Sequence, residues 1–177
     1  DSVVTVPYGA SGARIKIEGS SEVGKINVSG ALNIGDASIP DTLTTLDTIN
    51  VSKVLTMKAK DGITLGEDIT AGSVVILADE DSDEIGTFTG YGYKITSDEK
   101  VDIDSRGSLV LGDITAGYYL TIGANYEPDT LSIEGTIILN SVLQSIYDST
   151  FYAKDGISVS GQITVNNRPL HSLVFYP

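Results

Sequence analysis

Asp79, Asp81 and Asp83 alternate along the chain, and carboxylates at that spacing can offer several oxygens to a hard cation such as Ca²⁺. They open a stretch running from Asp79 to Asp104 that holds nine carboxylates (Asp79, Glu80, Asp81, Asp83, Glu84, Asp98, Glu99, Asp102 and Asp104) against Lys94 and Lys100. The EF-hand pattern does not fit, because Glu84 stands where that loop needs Gly and Gly90 where it needs a bidentate Glu. The Gly-Asp-rich nonapeptide of calcium-binding β-rolls is absent too. Ca²⁺ held by Asp79, Asp81 and Asp83 is therefore an expectation set beside a plain one, a solvated acidic loop. No other cofactor is expected.

Catalytic groupings are sparse. The single histidine, His171, alternates with apolar neighbours in Leu170-His171-Ser172-Leu173, and no Gly-x-Ser-x-Gly elbow supplies a nucleophile for it. Cysteine is absent, which removes disulfides, thiolate metal sites and cysteine nucleophiles together. A polysaccharide lyase needs cations to hold a polyuronate, and Arg14, Arg106 and Arg168 are far apart in sequence. The chain is expected not to be an enzyme, with a carbohydrate-binding or carbohydrate-active protein as the alternative.

Tyrosine offers a different contact chemistry. Gly90-Tyr91-Gly92-Tyr93 would set two rings on one face of an extended segment, where they could stack on a sugar or pack at a protein interface, or simply cover a sheet. The apolar runs Val3, Val4, Val6 and Leu173, Val174, Phe175 are each stopped by a proline, Pro7 or Pro177. They read as edges made to pair, either with a second copy in a head-to-tail homopolymer or with further coils.

The elements that must carry these residues are legible from a repeat. Gly62-Ile63-Thr64-Leu65-Gly66-Glu67-Asp68-Ile69-Thr70-Ala71-Gly72 returns as Leu109-Val110-Leu111-Gly112-Asp113-Ile114-Thr115-Ala116-Gly117, and Ala59-Lys60-Asp61-Gly62-Ile63 as Ala153-Lys154-Asp155-Gly156-Ile157. Gly12, Gly62, Gly107 and Gly156 mark four starts of a module of about 47 residues. Between them the chain is written in triplets such as Ile26-Asn27-Val28, Leu32-Asn33-Ile34, Val101-Asp102-Ile103 and Ile163-Thr164-Val165, punctuated by Gly, Asp, Asn or Ser. Strict alternation over three to five residues marks a short strand with one face buried. The expected fold is all-β, a parallel β-helix (β-solenoid) of about 7–8 short coils of roughly 23 residues, forming one domain over residues 1–177. The alternative is a β-sandwich or jelly-roll fibre subunit that polymerises by donating residues 2–6 as a strand.

Two stretches break the rhythm. From Pro40 to Ile49 apolar residues fall three apart, and from Asn140 to Tyr147 they fall at helical spacing; both are expected to be loops bulging between coils. The net charge of −13 disfavours nucleic acid and anionic membrane surfaces as partners. No run of about 18 apolar residues exists, so no membrane insertion is expected. Asp1 in place of an initiating Met leads to the expectation of a processed chain or a fragment, with removal of a secretory signal as the simplest processing and export as its consequence.

The phrases Ile69-Thr70-Ala71-Gly72-Ser73-Val74-Val75-Ile76 and Ile114-Thr115-Ala116-Gly117-Tyr118-Tyr119-Leu120-Thr121-Ile122 resemble the coil repeats of filamentous-haemagglutinin-like adhesins. Those are exported bacterial surface proteins built as right-handed parallel β-helices. The resemblance covers residues 59–125 and implies an extracellular structural or adhesive role without catalysis. The expected function is accordingly a secreted or cell-surface structural protein, a subunit of a self-assembling filament or the shaft of an adhesin. Its partners would be copies of itself and a host glycan or surface partner.

Overall fold

The computed structural model describes residues 4–6, 12–16, 19–35, 39–81, 83, 85–125, 128–140, 149–165 and 173–176, with residues 4–6, 165 and 173–176 described by their backbone. Every strand pair among them is parallel, and none of the described residues is helical. The first coil is β1 (Val4–Val6), β2 (Ala13–Ile15) and β3 (Ser21–Val23), the second β4 (Ile26–Val28), β5 (Leu32–Ile34) and β6 (Thr42–Thr45). The third and fourth run two faces together, as β7 (Ile49–Lys58) with β8 (Ile63 within Gly62–Leu65), and β9 (Ile69–Leu77) with β10 (Thr87–Thr89). Then follow β11 (Lys94–Ser97), β12 (Lys100–Asp104) and β13 (Ser108–Leu111), and β14 (Asp113–Ala116), β15 (Tyr119–Ile122) and β16 (Thr130–Ile133). The last are β17 (Thr136–Leu139), β18 (Ser149–Tyr152) and β19 (Ile157–Val159), with β20 (Gln162–Val165) and β21 (Leu173–Tyr176) beginning a further coil.

Each coil lays one strand segment on each of three faces. The first face stacks Val4, Ile26, Ile49, Ile69, Ile95, Ile114, Ile137 and Ile163 in register. The second stacks Ile15, Ile34, Met57, Ile76, Ile103, Ile122, Phe151 and Phe175. The third face is a separate 7-stranded sheet, β3-β6-β8-β10-β13-β16-β19. The chain is thus a β-solenoid, and the antiparallel sandwich alternative is overturned. β1 lies beside β4 of its own chain in the parallel sense, and donor-strand exchange through residues 2–6 falls with the sandwich.

The alternation found in the sequence has a simple physical outcome. Six stacked isoleucines of the first face, Ile26 to Ile137, are at most 2% exposed. Burying an aliphatic side chain of this size contributes about 1.5–3 kcal/mol, so a column of them outweighs what any single short strand could supply. The intervening residues, Asn27, Asn50, Thr70, Thr96 and Thr115, point outward, and Asn50 Nδ2 donates to Asn27 Oδ1 at 3.1 Å across one rung. Where the Ile-Thr-Ala phrase becomes Ile95-Thr96-Ser97, the buried Ser97 hydroxyl shares its one proton between the Gly72 and Lys100 carbonyl oxygens, each at 2.9 Å.

The turns explain the repeated glycines. A Cβ on Gly112 would meet the carbonyl oxygens of Gly90 and Tyr93, and one on Gly117 the carbonyl of Asp98, so the corners admit no side chain there. Gly62, Gly107 and Gly156 open β8, β13 and β19, the same corner in alternate coils, which gives the module its two-coil length. Gly12 opens β2 on a different face and does not belong to that series.

One expected loop is core. Thr42–Thr45 forms β6, and Leu43, Thr45 and Ile49 are fully buried. The three-apart spacing misled because Leu46, which completes it, is 54% exposed at a corner. Most of the other expected loop, from 141 to 147, lies outside the described residues.

Candidate functional site

The acidic stretch is not one loop. It contains β10, β11 and β12, and Asp79, Asp81 and Asp83 sit at the corner between β9 and β10. β9 ends at Leu77; with the extended backbone goes the alternation, and Asp79, Asp81 and Asp83 stop sharing a side. Asp79 turns inward and is completely buried beside the equally buried Ala78. Asp81 and Asp83 stay exposed and meet Asp61 from the preceding coil, with one oxygen of each of the three within 4.8 Å of the others.

Local bonding sets this corner. The Glu80 amide donates to the Ala59 carbonyl at 3.0 Å, and Glu80 Oε1 accepts from Lys58 Nζ at 2.7 Å, both across one coil. Asp83 Oδ1 accepts from the Ile85 amide at 3.1 Å, closing the turn. Lys60 Nζ donates to Asp41 Oδ1 at 2.9 Å, and this bond and the Asp41 charge raise the Lys60 pKa above its ordinary 10.5. Desolvation acts in the other direction, while Asp81 and Asp61 add smaller upward effects. Three exposed carboxylates can contribute oxygens to a hard cation that takes 6–8 ligands.

Two of the remaining acids are bonded within the fold. Asp102 accepts from Lys100 Nζ at 3.1 Å, and the buried Asp104 accepts from the Asn125 amide at 3.0 Å and from its Nδ2 at 2.6 Å. Asp104 thereby ties the corner after β12 to the corner of the next coil.

Tyr91 and Tyr93 are separated by their turn. Gly92 between them has φ of 84°, Tyr91 is 61% exposed, and Tyr93 is half-buried against the core. They do not form a two-ring platform on an extended segment. Tyr118 and Tyr119 are half-buried near β15. Val4 and Val6 lie on β1, paired to β4, and Leu173, Val174 and Phe175 lie on β21, paired to β18. Both sets occupy terminal rungs. Val3, Tyr126, Arg168 and His171 lie outside the described residues.

One surface was not read from the sequence. On the third face the outward positions of β6, β8, β10, β13 and β16 are Thr42 and Thr44, Gly62 and Thr64, Thr87 and Thr89, Ser108 and Val110, Thr130 and Ser132. Eight of these ten carry hydroxyls and none carries a charge, in a protein of net charge −13. Thr130 Oγ1 donates to Ser108 Oγ at 3.1 Å, so the column is bonded along its length at that rung. The Thr-x-Thr pattern at 42–44 and 87–89 was a visible signal; only the register between coils shows that the two pairs share a surface.

Comparison with protein-family models, with curated proteins and with solved structures gives no match.

Proposed function

We propose that the protein is a non-enzymatic extracellular structural element, a β-solenoid rod that serves as subunit of a self-assembling surface filament or as the shaft of an adhesin. The observation that carries this reading is the continuity of three parallel ladders from the first described coil to the last. A ladder of this kind is extended by the same backbone bonds whether the next coil comes from the same chain or from another copy. Strands β1 and β21 sit on the outermost described rungs, and a coil added at either end would pair with the Val4 and Val6 backbone or with that of Leu173, Val174 and Phe175. The resemblance to filamentous-haemagglutinin-like coil repeats supports the extracellular setting.

Negative-stain microscopy across a concentration series tests the proposal. Rods of constant width that lengthen as concentration rises are expected, and particles of one length at every concentration would overturn self-assembly. Incubation with a polysaccharide panel tests the catalytic alternative, with no reducing ends released as the expected result.

A further inference from the structure

The hydroxyl-bearing third face has no part in the proposed assembly, which uses the ends of the ladders. Its geometry is that of a grid. Adjacent rungs of a parallel sheet lie about 4.8 Å apart, and residues i and i+2 on one strand are separated by roughly 6.6 Å. The two columns headed by Thr42 and Thr44 keep both spacings over five successive rungs, with Gly62 interrupting the hydroxyls of the first and Val110 those of the second. The register shift recorded in the solenoid falls between β7 and β9, on the other sheet.

Charge is kept to the margins of this grid. Along one long edge Lys60 pairs with Asp41 at 2.9 Å and Lys154 with Asp129 at 3.2 Å. Along the other lie Glu67, Asp68, Asp113 and Glu134, all exposed. The surface between the margins offers hydroxyls and threonine methyls. The end strand β3 presents the exposed Glu22 in register with Thr44, so charge stands at the end of the grid as well as along its edges, and the five strands β6 to β16 carry none with which to select a charged partner. A neutral sugar surface is gripped by stacked rings, and none of the ten outward positions is aromatic.

What fits is a neutral lattice of hydrogen-bonding oxygens at comparable repeats. We propose that this face binds ice, through water ordered by the two hydroxyl columns. Each threonine hydroxyl both donates and accepts, so it can hold a lattice water in either orientation. The adjacent methyl limits the alternative positions that water can take, and bridging waters hold a surface nearly as well as direct bonds. Rows of oxygens on lattice planes of hexagonal ice repeat at spacings close to those of the grid, so the waters anchored by the columns can be shared with the crystal.

The test is ice-recrystallisation inhibition and thermal hysteresis, measured on the whole chain. The wild type should slow grain growth and depress the growth temperature of a seed crystal. Thr64→Lys and Ser108→Lys, both exposed in the middle of the face, should abolish both effects, whereas Thr70→Lys on the first face should retain them. Circular dichroism of each variant verifies folding. A wild type no more active than a non-binding protein of equal size, or equal loss in Thr70→Lys, would overturn the proposal. Retention of the chain on crystalline chitin or cellulose without ice activity would overturn it as well, and would assign the face to a glycan.

Discussion

Gly112→Ala probes the packing of coil on coil at one atom. In the folded chain that Cβ would meet the carbonyl oxygens of Gly90 and Tyr93, both backbone atoms of the preceding coil. These carbonyls belong to a bonded corner in which the Gly90 amide donates to the Val110 carbonyl at 2.8 Å and the Asp113 amide to the Tyr93 carbonyl at 3.1 Å. Relief requires the coils to move apart and those bonds to lengthen, and overpacking of this kind costs about 1–3 kcal/mol. Reduced freedom of the unfolded chain returns about 0.4–1 kcal/mol on replacing Gly by Ala. A net loss of about 1.3 kcal/mol remains at the middle of both ranges, which for a chain of this length is a fall of roughly 3–5 °C in Tm. Gly12→Ala is the matched control, because the nearest atom to its Cβ is the Ala31 carbonyl oxygen at 3.7 Å, an ordinary contact. That variant keeps the unfolded-state gain without the clash and should equal or exceed the wild type. Urea denaturation followed by circular dichroism measures both. A Gly112→Ala protein as stable as the wild type would show that the corners can yield, and would refute the account of the repeated glycines.

Other perturbations separate the core from the surface. Phe88 is 1% exposed, and Phe88→Ala should lose about 3–5 kcal/mol in urea titrations, whereas Tyr91→Ala should stay within about 0.5 kcal/mol of wild type. At the acidic corner, millimolar Ca²⁺ is expected to raise Tm and chelator to reverse the rise, with a smaller effect in Asp81→Asn; a melt unmoved by Ca²⁺ would leave Asp61, Asp81 and Asp83 as a solvated cluster. Asp41→Asn should return the Lys60 pKa toward 10.5, read by NMR titration of its ammonium. Because the folded value is the higher one, the stabilisation from this ion pair is complete below 10.5 and disappears as pH rises through the folded pKa. The Lys60 side chain is 40% exposed and the pair is screened by solvent, so the NMR titration rather than the melt should carry the signal.

The coil length and the strand triplets were legible because both follow from local chemistry. Alternation as in Ile26-Asn27-Val28 buries one face whatever the neighbours are, and a corner glycine announces a turn by itself. Contacts between coils were not legible in the same way. Asp79, Asp81 and Asp83 look equivalent along the chain, yet the turn after Leu77 sends Asp79 inside and brings Asp61 from the coil before it. Leu43, Leu46 and Ile49 look like one helical stripe, but the strand ends between them and Leu46 falls at a corner. Tyr91 and Tyr93 alternate like strand residues, and the positive φ of Gly92 turns them apart. The hydroxyl columns are the same lesson in reverse, since Thr44, Thr64 and Thr89 are separated by 20 and 25 residues and are neighbours only through the register of β6, β8 and β10.

X-ray diffraction from an aligned, concentrated preparation tests the central proposal most directly, because a rod extended by its own ladders must have its rungs stacked along the rod axis. A meridional reflection near 4.8 Å is predicted. Filaments that place this reflection on the equator would contradict the account, and a preparation that forms no filaments at all would contradict self-assembly.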